Sequence, residues 1–262
     1  MAGLMRPRDK GVPTRSSWLL TSDGVRLSAH HDGPDGDRDL AVVVAHGFTL
    51  SWRAAASRRI ARLMKERAGV VSFDFRGHGA SGGHSTVGDR EVLDVDAAVA
   101  WARLLGYARV ATLGWSMGAS VVVRHAGVGS DHPPDAVASV SGPSRWHYRG
   151  TPAMRRLHRG VVTRPGRAVV RHLFGTRIHA AGWDPEPVPP DTAARGITAP
   201  FLVVHGDRDP FFPLEHAHAL HAAAPGSELW VEQGFGHAEI AASDDLVRRM
   251  GAWLDASARM PR

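Results

Sequence analysis

The chain reads as an α/β fold, an open and mostly parallel sheet of about eight strands with helices on both faces. Three observations predict it. Apolar runs without alternation, such as Leu40-Ala41-Val42-Val43-Val44-Ala45 and Phe201-Leu202-Val203-Val204, suit strands buried on both faces. Segments of helical periodicity stand between such runs. The chain has 262 residues, 43% of them hydrophobic, enough for one large core. No apolar run approaches the ~20 residues that span a bilayer.

Taken in order, residues 1–15 are polar, with Pro7, Gly11 and Pro13, and are expected to form a flexible arm. Residues 17–21 and 25–29 flank Ser22-Asp23-Gly24, which predicts a β-hairpin and an antiparallel opening. The run 40–45 is the first central strand. Trp52, Ala56, Ile60, Leu63 and Met64 then recur at helical spacing, and that helix ends near Gly69. Val70-Val71-Ser72-Phe73-Asp74 is the next buried strand. Thr86 with Asp89 resembles a capping box, opening a helix in which Val92, Val95 and Val99 share a face. Strands follow at 110–113 and 136–140, with a helix after Ser116 between them. Residues 143–198 then interrupt the alternation with proline and glycine breaks. Strands at 201–204 and 228–231 and helices at 214–223 and 246–254 complete it. The expected organisation is a core over 16–142 and 199–262 with an insertion over 143–198, after the sixth strand.

Composition excludes several chemistries. Without cysteine there are no disulfides, thiolate metal sites or cysteine nucleophile. The sequence pI of about 10.8 suggests a nucleic-acid binder, yet the net charge is only +6. Lysine occurs only at Lys10 and Lys65, and arginine keeps its proton beyond pH ~12, so the pI exaggerates the charge. No nucleic-acid partner is expected. The opening Met1-Ala2-Gly3-Leu4-Met5-Arg6-Pro7-Arg8 lacks the apolar core of a secretory signal, so a cytoplasmic location is expected.

Gly114-Trp115-Ser116-Met117-Gly118 stands between a buried strand and a helix. A serine hydroxyl is a poor nucleophile at neutral pH and needs a base in reach and donors for the oxyanion it creates. A strained strand-to-helix turn of the form G-x-S-x-G holds the serine at its apex and aims the Met117 amide at the developing charge. After strand 201–204 comes His205-Gly206-Asp207-Arg208-Asp209-Pro210, and after strand 228–231 comes Gly234-Phe235-Gly236-His237. All these motifs fall at carboxyl ends of strands, where open α/β sheets bind their ligands.

The order Ser, Asp, His, each after its own strand, resembles that of the α/β-hydrolase family, and the resemblance runs from about Trp18 to Leu254. It implies Ser116 as nucleophile, His237 as base and Asp209 as the acid that orients it, Asp207 being the other candidate after the same strand. It places the second oxyanion donor at the Phe48 amide, within Ala45-His46-Gly47-Phe48-Thr49. Asp74-Phe75-Arg76-Gly77-His78-Gly79-Ala80-Ser81 resembles the family's Asp-x-Arg-Gly-x-Gly-x-Ser segment, which shapes the loop after a central strand. Gly77, Gly79 and Gly82 also spell a dinucleotide fingerprint. However, Gly83 and Gly88 delay the helix, and Asp94 and Asp96 fall inside it rather than at the end of the next strand.

The family commonly places a lid at the position of 143–198. Here the segment carries Arg145, Arg149, Arg155, Arg156, Arg159, Arg164, Arg167, Arg171 and Arg177 before its first acid, Asp184. Thr151-Pro152 and Thr163-Arg164-Pro165 read as helix starts. Met154, Leu157, Val161, Val169, Val170, Leu173 and Phe174 would form an apolar underside facing an acyl group. The arginines would face water, the sharper alternative being attraction of an anionic substrate or a membrane surface. His216, His218 and His221 are the densest histidine group, but only the last two share a helical face, and no metal site is expected.

The resemblance thus implies an α/β-hydrolase fold with a short helical lid. It implies a serine hydrolase of carboxylic esters with small to medium acyl chains, like bacterial carboxylesterases and monoacylglycerol-lipase-like enzymes. It implies no cofactor. The expected partner is a small ester with an apolar acyl part, contacted by Trp115, Phe48, Met154, Leu157 and Phe211. A thioesterase acting on acyl-carrier or coenzyme thioesters, a cofactor-free haloperoxidase or perhydrolase, and a non-catalytic binding protein are the alternatives.

Overall fold

In the computed structural model, which describes residues 14–36 and 38–260, strands and helices alternate after an antiparallel opening. β1 (Arg15–Leu20) and β2 (Arg26–Asp32) pair as the expected hairpin, closed where Thr21 Oγ1 donates to Asp23 and accepts from the Val25 amide. There follow β3 (Leu40–Ala45), α1 (Ala55–Met64), β4 (Gly69–Phe73), α2 (Glu91–Leu104), β5 (Arg109–Trp115), α3 (Met117–Gly127) and β6 (Ala136–Val140). Between β6 and the next strand lie α4 (Pro152–Val162), α5 (Arg164–Phe174) and α6 (Pro190–Ala194). The chain then runs through β7 (Phe201–Gly206), α7 (Glu215–Ala223), β8 (Glu228–Glu232), α8 (Ala238–Ala241) and α9 (Asp244–Ser257). No helix among the described residues is long and apolar enough to cross a membrane.

The eight strands form one sheet in the order β1-β2-β4-β3-β5-β6-β7-β8, parallel from β4 to β8. Alternate residues of each central strand point to opposite faces. Ala41 and Val43 therefore join a core with α2 and α3, whereas Val42 and Val44 join a second core with α1 and α9. Each fully buried Val or Leu contributes roughly 1.5–3 kcal/mol. Two such cores make the sheet a rigid platform for the loops at its carboxyl edge.

Three local expectations need correction. Residues 1–13 of the predicted arm lie outside the described residues, and Arg15 already belongs to β1, paired with His31. Trp52 precedes α1 instead of opening it, and its ring stacks on His30 at 4.8 Å. The Thr86–Asp89 box does not form. Gly88 turns the chain at φ +107, and the Glu91 carboxylate instead accepts the amides of Thr86, Val87 and Gly88.

The glycine-rich loop after β4 folds around a carboxylate. Asp74 Oδ2 accepts the Ala80 amide at 3.0 Å and Oδ1 the Trp52 amide at 2.8 Å. A Cβ on Gly79 would sit 2.2 Å from Asp74 Oδ2, so only glycine fits. The space a dinucleotide loop would offer to phosphate is filled by this side chain.

Candidate active site

The turn between β5 and α3 is as tight as its sequence demands. Ser116 sits at φ +52, ψ −113, a conformation of the kind that costs roughly 1–3 kcal/mol and persists only where the surroundings enforce it. A Cβ on Gly114 would lie 2.3 Å from the Gly118 oxygen, and one on Gly118 would lie 2.2 Å from the Ala45 oxygen. Both glycines are therefore required by backbone contact between β5, α3 and β3.

Ser116 Oγ lies 2.9 Å from His237 Nε2, and His237 Nδ1 donates to Asp209 Oδ2 at 2.7 Å. The other Asp209 oxygen accepts the amides of Phe211 (2.8 Å) and Phe212 (3.1 Å). Its side chain is fully buried, whereas Asp207 is exposed and turns away to accept the Gly234 amide. Of the two carboxylates after β7, Asp209 is the one that reaches the histidine. Met117 begins α3, where the helix dipole favours negative charge, and among the described residues neither its amide nor that of Phe48 has a hydrogen-bond partner.

These groups open onto a cavity of about 1100 Å³. Phe48, Met154, Leu157 and Phe211 line it as expected, and the Phe211 ring lies 4.4 Å from that of His237. Trp115 does not. It points to the opposite face of the sheet, 0% exposed among Leu113, Val140 and Phe235, because successive strand residues alternate and Ser116 alone occupies the apex.

Thr151 and Thr163 cap α4 and α5, each followed by a proline in the first turn. The apolar underside is only partly covered. Met154 and Val170 are buried, but Val169, Leu173 and Phe174 are 53%, 65% and 54% exposed, because α5 leans on α4 and not on the sheet. Arg145, Arg156, Arg159 and Arg167 line the cavity, and the first three of these are at the same time exposed to water, as expected, while Arg167 is half-buried. His216 is buried with Nδ1 beside Ser144, and His221 bonds Ser227.

Two site residues escaped sequence reasoning. His205, kept neutral by burial, donates from Nε2 to the Phe212 oxygen and thereby braces the turn that presents Asp209. Glu239, two positions after His237, is buried and accepts the Gly47 amide at 2.6 Å. The one signal for Glu239 was its nearness to His237 in sequence.

The model of the alpha/beta hydrolase family matches residues 42–249, and the chain belongs to that family. Solved structures share its fold. The esterase Pf2001 of Pyrococcus furiosus is similar with a TM-score of 0.71 at 24% identity, covering 98% of each chain. The esterase RhEst1 of a Rhodococcus species gives 0.72 at 18% identity, covering 92% of this chain and 99% of its own. XC6422 of Xanthomonas campestris, described as a serine hydrolase without a lid, gives 0.61 at 18%, covering 94% of each. Comparison with curated proteins finds no match.

Proposed function

We propose that the protein hydrolyses carboxylic esters through an acyl-enzyme on Ser116. The observation that carries this reading is the hydrogen-bonded series Ser116–His237–Asp209 at the floor of an apolar cavity. In acylation, His237 Nε2 takes the hydroxyl proton as Oγ attacks the ester carbonyl. The Phe48 and Met117 amides receive the oxyanion, and His237 returns the proton to the departing alcohol. Water then gives its proton to His237, attacks the acyl carbonyl and releases the acid, and Ser116 regains its proton. Asp209 holds the imidazole in the required tautomer and stabilises its cation.

The cavity of about 1100 Å³ lies just above the usual range of ligand pockets, ~300–1000 Å³, which supports chains longer than acetyl. In this reading the 143–198 segment is the lid and Met154, Leu157 and Phe211 contact the acyl chain. The solved structures described as esterases point the same way. The arginines in the cavity wall favour a second reading, a thioester whose carrier bears phosphate.

Labelling with a fluorophosphonate tests the mechanism. Wild type takes one adduct and Ser116→Ala takes none, with kcat lowered at least ~10³-fold. An unlabelled wild type, or an undiminished adduct in the variant, removes the proposal. Ester and thioester series of increasing acyl length, run side by side, then separate the two substrate readings.

A further inference from the structure

We infer that Glu239 is a positioning residue of the oxyanion hole, holding through Gly47 the loop that presents the Phe48 amide; the inference rests on the hydrolase reading of Ser116. Glu239 is 2% exposed and is the one carboxylate among the described residues that line the cavity. Among the described residues no ion pair neutralises it. A buried carboxyl without a cation is costly unless it is bonded or neutral. Burial pushes its pKa up, opposed by the hydrogen bond from Gly47.

The bond it makes spans 192 positions of sequence, from α8 to the loop after β3. Gly47 is held at both ends. Its amide donates to Glu239 Oε1 at 2.6 Å, while its carbonyl accepts from His46 Nδ1 at 2.8 Å and from the Leu50 amide at 3.2 Å. His46 Nε2 in turn accepts the Phe75 amide at 3.1 Å, which assigns the proton to Nδ1. In a trans peptide the N–H points opposite to the preceding carbonyl, so fixing the Gly47 oxygen fixes the direction of the Phe48 N–H. Without Glu239, a glycine with a wide choice of φ would carry that peptide. The contact is also close: a Cβ on Gly47 would lie 3.2 Å from Glu239 Oε2 and 3.4 Å from Ser116 Cβ.

The backbone between base and acid is strained for this purpose. Ala238, between His237 and Glu239, sits at φ +52, and its amide donates to Ser141, itself at φ +52. Left-handed non-glycine residues are uncommon and concentrate where geometry serves a site. Here the turn lets two residues only two positions apart both face the cavity. Arg59 anchors the segment by donating to the Glu239 and Ala242 carbonyls. One short stretch thus holds the base and steadies the oxyanion donor.

The test is kcat, KM and the fluorophosphonate labelling rate, measured with p-nitrophenyl butyrate and the same probe for Glu239→Ala, Glu239→Gln and Glu239→Asp. Glu239→Ala should lose ~10²–10³ in kcat and labelling rate with KM within about threefold. Glu239→Gln, whose amide oxygen still accepts from Gly47, should recover most of that loss. Glu239→Asp, one methylene too short, should stay at least about tenfold slow, and it decides the matter if the alanine variant does not fold. The inference is overturned if Glu239→Ala or Glu239→Asp matches wild type, if the loss lies in KM alone, or if glutamine rescues nothing. A wild type that neither labels nor turns over ester removes the hydrolase reading itself. A labelled wild type with an equally fast Glu239→Ala removes only this inference.

Discussion

Arg76 and Asp94 form a buried ion pair at 2.7 Å between the loop after β4 and helix α2. The same guanidinium bonds Asp23 of the hairpin turn at 2.7 Å, so one side chain ties three segments together. Removing Asp94 leaves the buried guanidinium with Asp23 alone and takes the acceptor from the buried Arg76 amide. Asp94→Ala should cost about 3–5 kcal/mol by urea denaturation, whereas Arg76→Met with Asp94→Leu should recover much of it. A single variant as stable as wild type would show that the pair is solvated.

The two carboxylates after β7 should separate cleanly. Asp209→Asn leaves the Phe211 and Phe212 bonds available but favours the wrong imidazole tautomer, and kcat should drop ~10⁴-fold. Asp207→Asn keeps its acceptor for Gly234 and should stay within about threefold. Steady-state kinetics on one ester decides, and a reversed ranking would reassign the acid.

Gly118→Ala places a methyl 2.2 Å from the Ala45 oxygen, a backbone atom that cannot rotate away. The expected loss is about 3 kcal/mol. Gly182→Ala, with nothing within 4 Å, is the matched control and should be nearly neutral. Equal urea midpoints for the two would mean that α3 slides freely over β3.

Acid should destabilise the fold through two buried histidines. Burial lowers the pKa of His78 to about 3 and, chiefly by burial with Arg145 adding to it, that of His216 to about 4. Each leaves its Nε2 without a partner among the described residues. The unfolded chain takes up these protons near pH 6.5 and the folded chain does not, so stability is full above that pH and falls as pH drops toward the folded values. At pH 5 the loss should be about 2 kcal/mol per histidine. Urea midpoints at pH 7 and pH 5 check this, and His78→Phe should flatten the slope.

The sheet and the hydrogen-bonded arrangement of Ser116, His237 and Asp209 were legible because each depends on local pattern. The apolar runs at 40–45 and 136–140 match β3 and β6 to the residue, since strands buried on both faces carry no competing signal. Ser116, Asp209 and His237 were findable because each follows a strand. Trp115 was misplaced because the motif reads as one unit while the pleat separates neighbours. Glu239 was invisible because a lone glutamate in a short helix normally faces water, and its partner lies 192 positions away. Helical periodicity marked the apolar stripe of α5 but not how much of it a neighbour would cover.

That incomplete cover has a thermal consequence. α4 and α5 bury one side chain each, Met154 and Val170, against the entropy of ordering twenty-odd residues. The pair should therefore open at a free energy far below that of global unfolding, with its amides exchanging while the sheet stays protected. On warming, the protein would lose the roof of its cavity before its fold, so the temperature limit of turnover and the melting temperature would be two separate numbers.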